Sequence, residues 1–359
     1  MKLFAIVGLT LWVGVSAAFG QTSWPNQREA DFILKDFRFG SGDTLPELRI
    51  HYLTLGTPRR NASGQITNGV LLLHGTSGSS RSWLIPTLAN ELFAAGQPLD
   101  ASQHFVIIPD GIGAGGSSKP SDGLRARFPR YRYRDMIEAH YRLVTEGLGV
   151  RHLRLVLGTS MGGMQTWLWG EMYPDFMDGL MPIASQPSAI SGRNWMTRRI
   201  RIEAIRNDPE WNGGNYTTNP SHYIYTLPLA ALTTESVVRI QELAPTREAA
   251  DAWYRTLVEE ARKRDANDQL YAIESVMDYD PSKDLGKIRA RLLAINFADD
   301  EVNPPELGVV GPAIARIRGA RHVVVPASPD SHGHYSYQRA ALWKSYLVDL
   351  MKSLEGRHE

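Results

Sequence analysis

"LRLVLGTSMGGMQTWLW", Leu153 to Trp169, carries an apolar run into Gly-Thr-Ser-Met-Gly and then into a helix-compatible stretch. A strand that turns sharply into a helix around a single serine is the context of a nucleophile elbow, in which Ser160 stands clear of the sheet. The flanking glycines, Gly158 and Gly162, suit a turn too tight for side chains. If this run is a buried strand, its neighbours in the sheet should read the same way.

They do. "GVLLLHG", "HFVIIPDG", "GLMPIA", "RLLAINFAD" and "RHVVVPAS" are short continuous apolar runs, most of them followed by a turn and a helical stretch. Strands buried on both faces look like this, and their alternation with helices implies an α/β class with a mostly parallel sheet flanked by helices. Before them, "DFILKDFRF" and "ELRIHYLTLG" alternate apolar and polar residues around "GSGD", the pattern of an antiparallel hairpin at a sheet edge. Between Ser185 and about Lys287 strand signals vanish. Helical stretches such as "TRRIRIEAIRND" and "TREAADAWYRTLVEEARKRD" occupy this region instead. The expected organisation is a core over 21–185 and 288–359, with 186–287 a helical cap inserted between sheet strands.

Residues 1–20 read as a secretory signal: Lys2, the apolar "LFAIVGLTLWVGV", and "AFG" before Gln21. The apolar stretch is shorter than the roughly 20 residues a membrane span needs. The expectation is therefore an exported protein, periplasmic or secreted, with no stable membrane association once the leader is removed. The chain holds 39 basic and 38 acidic residues, and Lys2 in the leader is one of the basic ones. Such balance gives no electrostatic footprint for nucleic acid. The local cluster "RARFPRYRYR", Arg125 to Arg134, is read as a solvated loop. The chain has no cysteine, so disulfides, thiolate metal sites and cysteine nucleophiles are excluded.

A serine hydroxyl needs a base to take its proton and an acid to orient that base, in the chain order serine, acid, histidine. The acid candidates, Asp299 and Asp300 in "ADDEVNPPE", follow one apolar run. The base candidates, His332 and His334 in "SPDSHGHYSY", follow the last. Asp300 and His334 are preferred. An oxyanion hole is the remaining requirement. "LLLHGTSGSS" supplies one: the Thr76 amide joins that of Met161, and His74 serves the loop structurally. His332 and His334 stand at i, i+2 without a further ligand cluster nearby in sequence, so neither a metal nor a cofactor is expected. The cap aromatics Trp195, Trp211, Tyr216, Tyr223 and Tyr225 are read as helix packing rather than pocket lining.

With these parts in order, the chain resembles the α/β-hydrolase superfamily and, within it, the homoserine O-acetyltransferase-like group. The likeness rests on "GTSMGGMQ", "FPRYRYRDMIEAH", "NDPEWNGGNY", "DDEVNPPE" and Gly333-His334. It implies Ser160, Asp300 and His334 as the triad. There are also departures. The compact "DGIGAGGSSKPSDG" resembles a hydrolase loop more than the longer acetyltransferase segment. Alignment through "EAIRNDPEW" puts Ile202 where the group's arginine would hold the homoserine carboxylate, and the adjacent Arg201 is expected to be turned away by about 100°. Homoserine acetylation also draws on cytoplasmic acetyl-CoA, which an exported enzyme would not meet. The expected function is hydrolysis of a small-molecule ester, with an amide or thioester less favoured, through an acyl-serine intermediate. The alternatives are O-acyl transfer to an alcohol and a non-catalytic binding protein on the same fold.

Overall fold

The computed structural model describes residues 24–76 and 78–355. The expected leader over 1–20 lies outside the described residues. The eight strands are β1 (Arg28–Arg38), β2 (Thr44–Leu55), β3 (Gly69–Leu73), β4 (Phe105–Pro109), β5 (Leu153–Thr159), β6 (Met177–Ile183), β7 (Arg291–Phe297) and β8 (Arg321–Val325). They form one sheet in the order β1-β2-β4-β3-β5-β6-β7-β8. The six continuous apolar runs are the six parallel strands β3 to β8, and the alternating pair is the antiparallel edge hairpin β1–β2. The physical reason is plain in the burial: every residue of β3, β4 and β6 is buried, whereas β1 is exposed at most positions.

Helices cover the sheet on both sides. In chain order they are α1 (Pro86–Leu92), α2 (Tyr133–Arg142), α3 (Met161–Met172), α4 (Gly192–Arg206), α5 (Ser221–Thr226), α6 (Ala231–Thr234), α7 (Val237–Leu243), α8 (Arg247–Arg262), α9 (Ala266–Glu274), α10 (Val310–Ile314) and α11 (Lys344–Ser353). Successive strand residues point to opposite faces. Leu71 and Val156 therefore join Met136, Ile137 and Trp167 of α2 and α3, while Val70, Leu72 and Leu157 join Leu88 and Leu92 of α1 and Leu347 of α11. The parallel strands all end at one edge of the sheet, at Leu73, Pro109, Thr159, Ile183, Phe297 and Val325. Turns leaving that edge carry the chemistry.

Helices α4 to α9 lie between β6 and β7 and form the cap. It has its own small core, in which Ile202 and Ile205 of α4 meet Tyr223, Val258 and Leu270. Three of its helices start on side-chain caps: Ser236 accepts from the Arg239 amide, Thr246 from Ala249 and Asp265 from Asp268.

The segment Arg125 to Arg134 corrects the solvated-loop expectation. Phe128, Tyr131 and Tyr133 are buried, and Tyr271 of α9 donates its hydroxyl to Phe128 O at 2.8 Å. Arg130 pairs at 2.5 Å with Glu274, a buried carboxylate that also receives Arg206. Ser121 donates its amide and hydroxyl to Asp268 of α9. The aromatic residues, Arg130 and Arg132 form the seam between core and cap, while Arg125, Arg127 and Arg134 remain exposed.

Candidate active site

Ser160 stands at the junction of β5 and α3 with φ +53° and ψ −114°, a backbone conformation that L residues rarely adopt. Holding it costs on the order of 1–3 kcal/mol. The elbow persists because its flanks leave no room for another path. A Cβ on Gly158 would lie 2.1 Å from Gly162 O, and one on Gly162 would lie 2.2 Å from Leu73 O. The Ser160 amide is spent on Ile183 O at 2.9 Å, which ties the turn to β6.

Ser160 Oγ lies 2.8 Å from His334 Nε2. The other ring nitrogen, Nδ1, lies 2.8 Å from Asp300 Oδ2. Asp300 Oδ1 accepts the amides of Val302 and Asn303 at 2.8 and 3.0 Å, so the carboxylate is held by two donors besides the imidazole. A carboxylate at Nδ1 makes that nitrogen the donor and leaves Nε2 free to accept the serine proton. Asp300 and His334 are both buried. Burial keeps water from competing for these bonds.

The neighbours that competed for these roles do other work. Asp299 Oδ2 accepts the Gly333 amide at 2.9 Å, so this carboxylate props the histidine loop. His332 Nδ1 lies 3.3 Å from Glu235 Oε1 of the cap and takes no part in the serine chain.

Thr76 borders the same cleft as Ser160, and Met161 is the first residue of α3, where the amide has no intrahelical acceptor. Neither amide donates to an acceptor among the described residues. His74 holds this loop in place. Its Nδ1–H donates to Gly75 O at 2.8 Å and its Nε2 accepts the Gly111 amide at 2.9 Å. Burial lowers the His74 pKa, which keeps the ring in the neutral tautomer these two bonds need.

The cleft in front of Ser160 encloses about 130 Å3, and its far wall is α4. Here the structure overturns an expectation. Ile202 packs into the cap core, while Arg201 turns into the cleft beside Arg198. Arg198 donates to Asn194 Oδ1 at 3.0 Å and Ile273 O at 3.3 Å. Arg201 reaches Gln269 Oε1 at 3.4 Å, and its Nε is shielded from solvent with no partner. Neither guanidinium pairs with a carboxylate among the described residues, in contrast to Arg193, which is matched by Glu301. Burial, and after it the repulsion of Arg198, pulls the Arg201 pKa down to about 10. Two cations lining the nucleophile's cleft without a carboxylate partner among the described residues are suited to an anionic ligand group.

Sequence reasoning missed this pair. The signal was present, as Arg198 and Arg201 stand at i, i+3 on one helix face. None of the five cap aromatics borders the cleft: Trp211, Tyr216 and Tyr223 pack within the cap, Trp195 packs against the main core, and Tyr225 is exposed.

The model of the α/β hydrolase fold family matches residues 68–221. A probable acyltransferase of Methanothermobacter thermautotrophicus is 30% identical over 283 residues, which cover 78% of this chain and 85% of that one. A homoserine O-acetyltransferase of Chlorobaculum parvum is 35% identical over 189 residues, so the chain spans about half the length of that relative, 49% of each. Among solved structures, an acetylester hydrolase from Corynebacterium glutamicum superposes with a TM-score of 0.78 at 22% identity, covering 90% of this chain and 96% of that one. At that identity the likeness concerns the fold.

Proposed function

Since the chain belongs to the α/β-hydrolase family, in its homoserine O-acetyltransferase-like group, we propose that it is an acyl-serine enzyme whose substrate is a small ester bearing an anionic group, with water as the acceptor of the acyl group. The observation that carries this reading is the chain of 2.8 Å contacts from Ser160 Oγ through His334 to Asp300.

In the first step His334 Nε2 takes the Ser160 proton as Oγ bonds to the ester carbonyl carbon. Asp300 keeps the imidazole in the accepting tautomer and offsets the positive charge it gains. The Thr76 and Met161 amides stabilise the oxygen that turns negative. His334 then gives its proton to the departing alkoxide. Water, deprotonated by the same nitrogen, releases the acid in a mirror-image second step.

Arg198 and Arg201 support an anion on the alcohol part of the ester, a carboxylate or a phosphate, opposite the serine. The Lys2 leader supports export, and export supports water over an acyl-CoA-fed reaction. A second reading, O-acyl transfer to an alcohol that carries the anion, draws support from the named acyltransferase relatives and from the same two arginines. The two differ only in which nucleophile reaches acyl-Ser160.

The test is product analysis with a chromogenic acetyl ester, with and without added homoserine, beside Ser160→Ala. Free acetate indifferent to the alcohol supports hydrolysis, and O-acetylhomoserine as the main product supports transfer. Turnover by Ser160→Ala above about one per cent of the parent rate would remove the acyl-serine reading altogether.

A further inference from the structure

Tyr337 stands three residues beyond His334 in the turn Gly333–Gln338. It borders the catalytic cleft and also a second chamber of about 190 Å3 on the far side of Thr76, so its ring lies where the two meet. The phenol oxygen faces the oxyanion loop. A Cβ on Gly75 would sit 3.3 Å from Tyr337 Oη and 3.5 Å from Ser160 Cβ. Glycine at this position keeps open a gap bounded by the phenol, the nucleophile and the loop that presents the Thr76 amide.

The hydroxyl's bonding is one-sided. Gln338 Nε2 donates to Oη at 3.4 Å, and no acceptor for the O–H proton occurs among the described residues. Its backbone carbonyl accepts the Trp343 indole N–H at 3.0 Å. The hydroxyl borders the cleft with its proton uncommitted among the described residues, so an acceptor that enters there can take it. Burial raises the Tyr337 pKa, so the group stays protonated and acts as a donor, not a base. Its ring meets His334 edge to face at 5.4 Å, which fixes the phenol relative to the triad.

We propose that the Tyr337 hydroxyl is a third donor to the oxyanion of the tetrahedral intermediate, beside the amides of Thr76 and Met161. This rests on the acyl-Ser160 reading. When Ser160 Oγ bonds to the carbonyl carbon, the carbonyl π pair moves onto oxygen and the serine proton onto His334. Tyr337 donates a hydrogen bond to that oxygen and keeps its proton. The pair returns as the bond to the leaving alkoxide breaks and His334 protonates that alkoxide.

Tyr337→Phe removes the oxygen and keeps the ring. The expected result on a short-chain acetyl ester is a fall in kcat of about tenfold to a hundredfold, with KM within about twofold. Affinity for a trifluoromethyl ketone, which forms a hemiketal oxyanion on Ser160, should fall by a similar factor. The pH profile of kcat/KM should keep its shape, because the edge contact to His334 survives. A melting curve confirms the fold, and the ketone affinity is measured on the folded fraction alone should the variant prove unstable. Unchanged kcat and unchanged ketone affinity overturn the proposal, as does a rise in KM alone. Activity surviving in Ser160→Ala would instead remove the reading beneath it.

Discussion

Replacing Arg201 with Met should move selectivity and stability in opposite directions. In the parent protein Arg201 is a shielded cation with one long bond to a neutral amide oxygen and an unpartnered Nε. Its folded-state pKa, about 10, lies below the usual 12.5, so folding disfavours its charge and that cost is present at every working pH below about 10. The gap corresponds to roughly 3–4 kcal/mol, and removing it should raise stability by about 1–2 kcal/mol once lost stem packing is discounted. For a chain of this length that is a rise in Tm of about 2 °C. The same change deletes one charge-assisted bond to an anionic substrate, worth about 1.5–3 kcal/mol, or roughly 10- to 150-fold in kcat/KM. The assay is acetate release from acetoxyacetate and from its methyl ester, which share a skeleton and differ in charge. Loss should fall on the acid alone, with the methyl ester within about twofold. An equal loss on both esters together with a lower Tm would refute the reasoning, because Arg201 would then be a packing residue.

Asp300→Asn should leave the loop folded, since its oxygen can still accept the Val302 and Asn303 amides, yet lower kcat by about 10³- to 10⁴-fold through loss of the accepting tautomer. Steady-state kinetics beside a circular dichroism spectrum checks both halves. Gly162→Ala should prevent a stable fold, because its Cβ would lie 2.2 Å from Leu73 O, and soluble yield with urea unfolding reads this out. Glu171 has no partner for either carboxylate oxygen, and burial pushes its pKa up to about 8. The folded pKa exceeds the unfolded one of 4.5, so its contribution is intact below pH 4.5 and lost as pH rises through 8. Glu171→Gln should therefore gain more stability over the parent at pH 8.5 than at pH 5, by about 3–4 kcal/mol in paired urea titrations.

The sheet was legible because its chemistry is local to each strand. Apolar runs buried on both faces, such as β3, β4 and β6, read as inner strands, and the alternating pair around "GSGD" reads as an edge hairpin; β8, the other edge, reads like an inner strand although only its Val325 is buried. The grouping of Ser160, Asp300 and His334 was legible for a related reason: each follows the carboxyl end of its own strand, β5, β7 or β8, so order along the chain maps onto proximity in space. Even there, the choice between adjacent candidates needed geometry. Asp299 and Asp300 differ only in which carboxylate turns toward Nδ1 of His334 and which toward the Gly333 amide.

The cap obeyed no such rule. Helix α4 is basic on several faces, and its apolar residues divide between the cap core and solvent: Ile202 and Ile205 are buried, Met196 and Ile200 exposed. Its rotational phase thus cannot be read from periodicity, and a one-residue argument about Arg201 against Ile202 had nothing to anchor it. What sets the phase is docking. Glu274 draws in Arg130 from the core and Arg206 from the end of α4, and Asp268 holds the Ser121 loop, so contacts far apart in sequence decide which face of α4 meets the cleft. The same seam explains why "RARFPRYRYR" looked like a surface loop: most of its arginines are exposed, and the cap that buries its aromatic residues and pairs with Arg130 is not encoded in the segment itself. Reaction chemistry on this fold is therefore written at strand ends, where short sequence carries it. On the proposed reading, substrate choice is set across the core–cap seam, so variants of Glu274 or Arg130 belong with those of Arg198 and Arg201 in any test of specificity.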